Sequence, residues 1–312
     1  MRIRHALTAL TAGAGLALLP TSPAQSAQPT SASPTSPAHR PASAALDAYW
    51  TPQRMRAARP VDQGRPSLPH GGPSLHGDSR PFGGLPIVGT FFWTDSTGAG
   101  RFCSGSVVKS PGRNLVSSAA HCFDGKHARQ RLVFVPKYDD GKKPYGVFAV
   151  TPGRIYLDPR YLAQGRDAAA DLDFSFLRLE KRAGKNIQDV VGGAELVVNP
   201  GYTHPAVRVI GYPANRTRPL DCTSNTDRYN STDPRIPGSF LRIHCDDYSG
   251  GVSGGPFLLK KDTGWRLIGV VGGWKTGGDK ADISYGSYFD KDVKALYDTA
   301  TQAANPPRGA AG

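Results

Sequence analysis

The chain has 312 residues, with 38 Lys and Arg against 25 Asp and Glu, for a net charge of +13. The charge is spread along the chain, without a dense basic helix or aromatic-basic interleaving. That argues against a nucleic-acid module and suits solubility and contact with anionic polymers. The 4 cysteines include no C-x-x-C pair, so disulfides in an oxidising compartment are expected and a metal site is not.

Arg2 and Arg4 precede an apolar run over residues 6–19, and small residues follow to Ala24 or Ala27. The run is too short for a membrane span and reads as a secretory signal peptide over 1–24. Ser22 favours cleavage after Ala24. A secreted, membrane-free protein is expected. Residues 25–81 are rich in Pro, Ser, Ala and Gly and lack the apolar density for a core. They read either as a linker or as a pro-segment, with a short helix over 47–59.

Residues 82–305 are the right length for one all-β unit. Short β-branched and aromatic runs alternate there with Gly, Pro and Asp turns. Strands are expected at 87–93, 102–108, 115–118, 132–135, 147–150, 174–179, 196–198, 207–211, 240–244, 256–259, 267–272 and 285–289. The polar, Gly-containing stretch 181–193 suits a crossover between halves, about 82–183 and 190–305. A helix capped by Asp290 is expected near the end, with Val293, Leu296 and Tyr297 on one face. Residues 306–312 form a tail.

Three stretches lie along this frame in order: Ser118-Ala119-Ala120-His121-Cys122, Asp173-Phe174-Ser175-Phe176-Leu177 and Gly250-Gly251-Val252-Ser253-Gly254-Gly255-Pro256. They supply a histidine, an acid and a serine among glycines. Those are the parts of a hydrolytic triad: hydroxyl nucleophile, imidazole base and orienting carboxylate. Gly251-Val252-Ser253-Gly254-Gly255 also fits the G-x-S-x-G elbow of α/β-hydrolases, but there the histidine follows the serine. Here the last histidine is His244. Backbone N–H groups of Gly251 and Ser253 would form an oxyanion hole. The bland alternative for each residue is a buried histidine, a turn acid or a solvated serine.

On these motifs, with Phe102-Cys103-Ser104-Gly105-Ser106-Val107-Val108 before the histidine, the chain resembles secreted trypsin-like serine peptidases of the chymotrypsin superfamily, most like those of soil actinobacteria. The resemblance covers residues from about 82 to the final helix. It implies two antiparallel six-stranded β-barrels with a C-terminal α-helix on the second. Protein or peptide substrates, no cofactor or metal, and a monomer are expected. It favours Asp173 over Asp171 and the weaker Asp167 as the acid, with His121 and Ser253 completing the triad. Local pairing of the cysteines, Cys103 with Cys122 and Cys222 with Cys245, agrees with the family's bridge beside the histidine.

Departures from the trypsin pattern carry further expectations. Val252 stands where trypsin-type zymogens have an aspartate for the new N-terminus. Activation by insertion of Ile87-Val88-Gly89 is therefore not expected. Gly272 replaces a serine that usually supports the acid. Asp247 lies six residues before Ser253, the spacing of an Arg/Lys-selecting pocket acid, with Asp246 as the alternative. Ser249 stands where a cysteine is usual. Gly272, Gly273 and Trp274 would line the pocket edge and pair with substrate backbone as an added strand. Competing readings of the whole chain are an esterase for small acyl esters and a catalytically silent binding module.

Overall fold

The computed structural model describes residues 42–62, 79–125, 129–280 and 282–302. The expected leader and tail lie outside them.

The first described segment makes no core of its own but docks on the rest. Helices α1 (Ala42–Tyr49) and α2 (Pro52–Ala57) are separated by Trp50-Thr51. The break has a local cause: Pro52 opens α2 and the Thr51 hydroxyl caps it. Trp50 and Met55 are buried. The short strand β1 (Arg59–Pro60) follows, and β2 (Arg80–Pro81) begins the next described stretch.

Six strands close the first barrel: β3 (Val88–Thr94), β4 (Gly100–Val108), β5 (Leu115–Ser118), β6 (Gln130–Pro136), β7 (Phe148–Leu157) and β8 (Ser175–Leu179). Their order is β4-β3-β6-β7-β8-β5, and β5 returns to β4 through Ser106–Ser117, Val107–Val116 and Val108–Leu115. Closure leaves no free edge among these strands. β3 is buried at every position, which explains its unbroken apolar run. Phe91 meets Phe134 and Phe123 at ring distances of 4.8 and 5.2 Å, whereas Phe92 lies 5.5 Å from Trp50 of the docked segment.

Helix α3 (Pro159–Ala168) lies between β7 and β8, and the connection to the second half holds α4 (Ile187–Val191) and β9 (Glu195–Leu196). The second sheet contains β10 (His204–Gly211), β11 (Leu220–Asn230), β12 (Ser239–His244), β13 (Pro256–Lys261), β14 (Gly264–Val270) and β15 (Ile283–Ser287). Its order is β15-β12-β11-β10-β13-β14-β9, with β2 paired to β11. The ends of this sheet meet through a single bridge, Val271–Gly286. The chain is thus an all-β, chymotrypsin-like fold whose first barrel is closed and whose second is not closed by a continuous ladder.

The terminal helix α5 (Lys291–Gln302) has the expected buried face, with Val293 and Leu296 inside. It does not rest on the second barrel as expected. Tyr297 packs edge-on against Phe176 of β8 at 5.8 Å, and its hydroxyl donates to Lys109 O at 2.8 Å. Phe176 belongs to the first barrel and is buried under this helix, so the apolar stripe goes there.

Candidate active site

β5 is held between β4 and β8, and its end sets the histidine. A 3₁₀ turn, Ala120–Cys122, follows Ala119, and all of these residues are buried. The Cys103–Cys122 disulfide ties the turn back to β4. Arg166 of α3 braces it from outside, donating to His121 O at 3.1 Å and to Asp124 Oδ2 at 2.7 Å. The second disulfide, Cys222–Cys245, joins β11 to the residue after β12.

Asp173 precedes β8, whose Ser175 pairs with Ser118 of β5. The Ser175 hydroxyl donates to Ala119 O at 3.1 Å. These contacts bring the acid beside the histidine turn. Asp173 Oδ1 accepts the His121 N–H at 2.8 Å, and Oδ2 lies 2.7 Å from His121 Nδ1. Oδ2 also accepts the Gly273 N–H at 2.8 Å. Burial alone would raise the Asp173 carboxyl. The charge of His121 and the hydrogen bonds from His121 and Gly273 outweigh burial and hold it below the ordinary 3.8. Asp171 and Asp167 are exposed and make no such contact with His121.

The Gly273 N–H is the support that replaces the missing serine at position 272. A Cβ on Gly272 would stand 2.8 Å from Asp173 O and 3.0 Å from its Oδ2, so this position has no room for a side chain. Gly272→Ala should therefore displace Asp173. We expect kcat/KM to fall about 10- to 100-fold with the fold retained, read by peptide hydrolysis beside circular dichroism.

Ser253 is buried in a braced loop. Ser104 N–H donates to Ser253 O at 2.9 Å, Ser104 Oγ to Gly251 O at 2.9 Å, and Gly254 N–H to Val271 O at 2.8 Å. Gly254 has φ +81, and a Cβ there would fall 2.1 Å from Ser118 Oγ. Glycine is thus what lets the serine loop of one half close onto the histidine strand of the other. Gly251 has φ +99 and turns its N–H toward the side chain of Asp62, whose Oδ1 accepts it at 2.9 Å. Ser253 Oγ donates to Asp62 Oδ2 at 2.5 Å. His121 Nε2 is buried and has no hydrogen-bond partner among the described residues.

Val252 is fully buried, and Ile87 is fixed in the first barrel, its carbonyl accepting from Val107 N–H. Asp247 is committed elsewhere: its carboxylate accepts from Asn215 Nδ2 at 2.8 Å and pairs with Arg216. Asp246 is buried. Trp274 opens a 3₁₀ turn, Trp274–Gly277, and not an extended edge. Its ring packs against Tyr229 and Tyr285 at 5.1 and 4.7 Å. Gly272 N–H is spent on Tyr285 O. The added-strand expectation thus meets a turn at Trp274.

A model of the trypsin-like peptidase domain matches residues 103–270, just over half of the chain. The chain belongs to this family. Among solved structures it is similar to the protease Anisep from Arthrobacter nicotinovorans, at 25% identity and a TM-score of 0.60, covering 72% of this chain and 99% of that one. It is also similar to the thermostable serine protease AL20 from an extremophilic microorganism, at 26% identity and a TM-score of 0.58, covering 70% and 97%. A Glu endopeptidase shares the fold at 16% identity and a TM-score of 0.52, covering 72% and 96%. No curated protein matches. The family and these neighbours make the chain a serine-type endopeptidase acting on proteins or peptides.

Two participants in this trypsin-like centre, Arg166 and Asp62, escaped the sequence, and Gly273, expected at the pocket edge, instead donates its N–H to Asp173. Arg166 carries no local signal that sets it apart from other cations. Asp62 sits in the Pro- and Gly-rich stretch, where nothing local marks it.

Proposed function

We propose that this peptidase hydrolyses peptide bonds through an acyl-enzyme, with Ser253 as nucleophile, His121 as general base and Asp173 as the group that orients His121. The observation that carries this reading is the buried Asp173–His121 pair, bonded at both carboxylate oxygens, with the Ser253 loop closed through Gly254 onto Ser118 and Ala119 just before the histidine turn. Asp173 keeps the proton on Nδ1 and leaves Nε2 free to accept one. The Gly251 N–H, with that of Ser253, stabilises the tetrahedral oxyanion. Secretion is part of the proposal, supported by the leader-like N-terminus and the two disulfides.

The test is labelling by a fluorophosphonate with peptide mapping, followed by digestion of a peptide library. A label on Ser253 and internal cleavage are expected. A label elsewhere would reject the assignment. Hydrolysis of small esters without peptides would favour the esterase reading.

The Arg/Lys preference implied by the spacing of Asp247 has no free carboxylate to support it. A basic substrate side chain would have to displace Arg216 from an Asp247 side chain that is only 12% exposed. Asp247→Ser should instead loosen the loop at Asn215 and Arg216. We expect a stability loss of about 1–3 kcal/mol in chemical denaturation and an unchanged cleavage profile. Loss of cleavage after Arg or Lys would restore Asp247 to the pocket.

A further inference from the structure

The segment ending at Asp62 is anchored far from the catalytic centre and reaches into it. Asp47 of α1 pairs with Lys143 at 2.6 Å and with Arg182 at 2.7 Å. Trp50 Nε1 donates to Arg131 O at 2.9 Å, and Arg56 to Asp140 O at 2.9 Å. Beyond α2, β1 lies parallel to β4, pairing Arg59 with Arg101 and Pro60 with Phe102. Val61 N–H then donates to Phe102 O at 3.3 Å, immediately before Cys103 of the histidine-turn disulfide. This course delivers the Asp62 side chain, 8% exposed, to Ser253 and Gly251.

We propose that residues 42–62 form an internal inhibitor whose blocking group is the Asp62 carboxylate. The proposal rests on the reading of Ser253 as nucleophile and His121 as base. Attack requires the serine hydroxyl to give its proton to His121 Nε2. Here that hydrogen bond goes to Asp62 Oδ2, while Nε2 has no partner among the described residues. The second carboxylate oxygen takes the Gly251 N–H that a developing oxyanion would need. The same negative charge opposes formation of a second one beside it.

The segment is a block and not a substrate poised for cleavage. What it presents to Ser253 is a side-chain carboxylate, which is a poor acyl donor. Its main chain occupies space over the serine loop: a Cβ on Gly250 would lie 2.1 Å from Asp62 O. A peptide substrate and the segment therefore compete for one place, and the enzyme gains access to substrate when residues 42–62 leave.

The experiment compares the full-length chain with Asp62→Ala and Asp62→Asn. The rate constant for phosphonylation by a fluorophosphonate is measured, and the label is located by peptide mapping. Asp62→Ala should react faster by a factor on the order of 10–100, the weight of losing charge-assisted hydrogen bonds. Asp62→Asn keeps the shape with weaker neutral bonds and should fall between it and wild type. It also serves if the alanine variant fails to fold. Equal rates in all folded forms, with the label on Ser253, would overturn the inhibitor and leave the nucleophile assignment standing. Absence of label on Ser253 in every form would overturn both.

Discussion

Ser253→Ala should lower peptide hydrolysis by a factor on the order of 10⁶ while leaving the fold in place. The side chain lost is one oxygen in a loop held by other bonds: Ser104 grips the carbonyls of Ser253 and Gly251, and Gly254 N–H holds Val271 O. None of these involves Ser253 Oγ. In the proposed mechanism this hydroxyl forms the ester that splits hydrolysis into two steps. What would remain is binding and the pull of the Gly251 N–H on the substrate carbonyl. The comparison belongs in protein freed of residues 42–62, because the hydroxyl also bonds Asp62. Turnover within tenfold of wild type, in variant shown folded by circular dichroism, would reject Ser253 as nucleophile.

The barrel scaffold was legible because its strands obey a simple rule. Barrel strands carry apolar residues inward, and five of the six strands in the first barrel announced themselves that way within two or three residues. β7 was recognised only at its start, because its later half, from Thr151 to Leu157, is not fully buried. β11 gave no signal at all. It carries Asp221, Asn225, Asp227 and Asn230, and it is stabilised by ion pairs across the ladder, Arg208 to Asp221 and Arg242 to Asp227. Such pairing depends on neighbours far along the chain. α3 was missed despite a readable start, Asp158 capping a helix that opens on Pro159. Its lone buried side chain, Tyr161, makes no apolar stripe.

The site divides along the same line. His121 and Ser253 were readable because tight turns impose small residues around them. Asp173 needed the family pattern, since Asp171 offers the same chemistry two residues away; the fold separates them by exposing one and burying the other. For the segment at 42–62, the sequence offered one short helix over 47–59 in a pro-segment that docks, but neither the break at Trp50-Thr51 nor the place of docking. Its two anchors, Trp50 and Met55, bury against a first barrel that lies later in the chain. Asp62 acquires its neighbours only through that docking, across 191 residues.

Asp173→Asn should cost about 10⁴-fold in kcat, although it leaves the heavy-atom count of the site unchanged. The carboxylate faces three donors: His121 N–H at Oδ1, and His121 Nδ1 with Gly273 N–H at Oδ2. An asparagine offers one oxygen and one NH₂ in place of two acceptors. If the NH₂ takes the position of Oδ1, it confronts the His121 N–H and the turn must shift. If it takes the position of Oδ2, it confronts the Gly273 N–H and donates to Nδ1. The ring proton then moves to Nε2, where it blocks acceptance of the serine proton. Either arrangement disables the base. Stability gives an independent readout. Because the folded Asp173 carboxyl is held below 3.8, its contribution is present above that pH and is lost as the pH falls through the folded value. The asparagine variant should lack this acid-side loss, so its denaturation midpoint should vary less with pH on the acid side than that of wild type. An unchanged kcat with an unchanged acid profile would remove Asp173 from the mechanism.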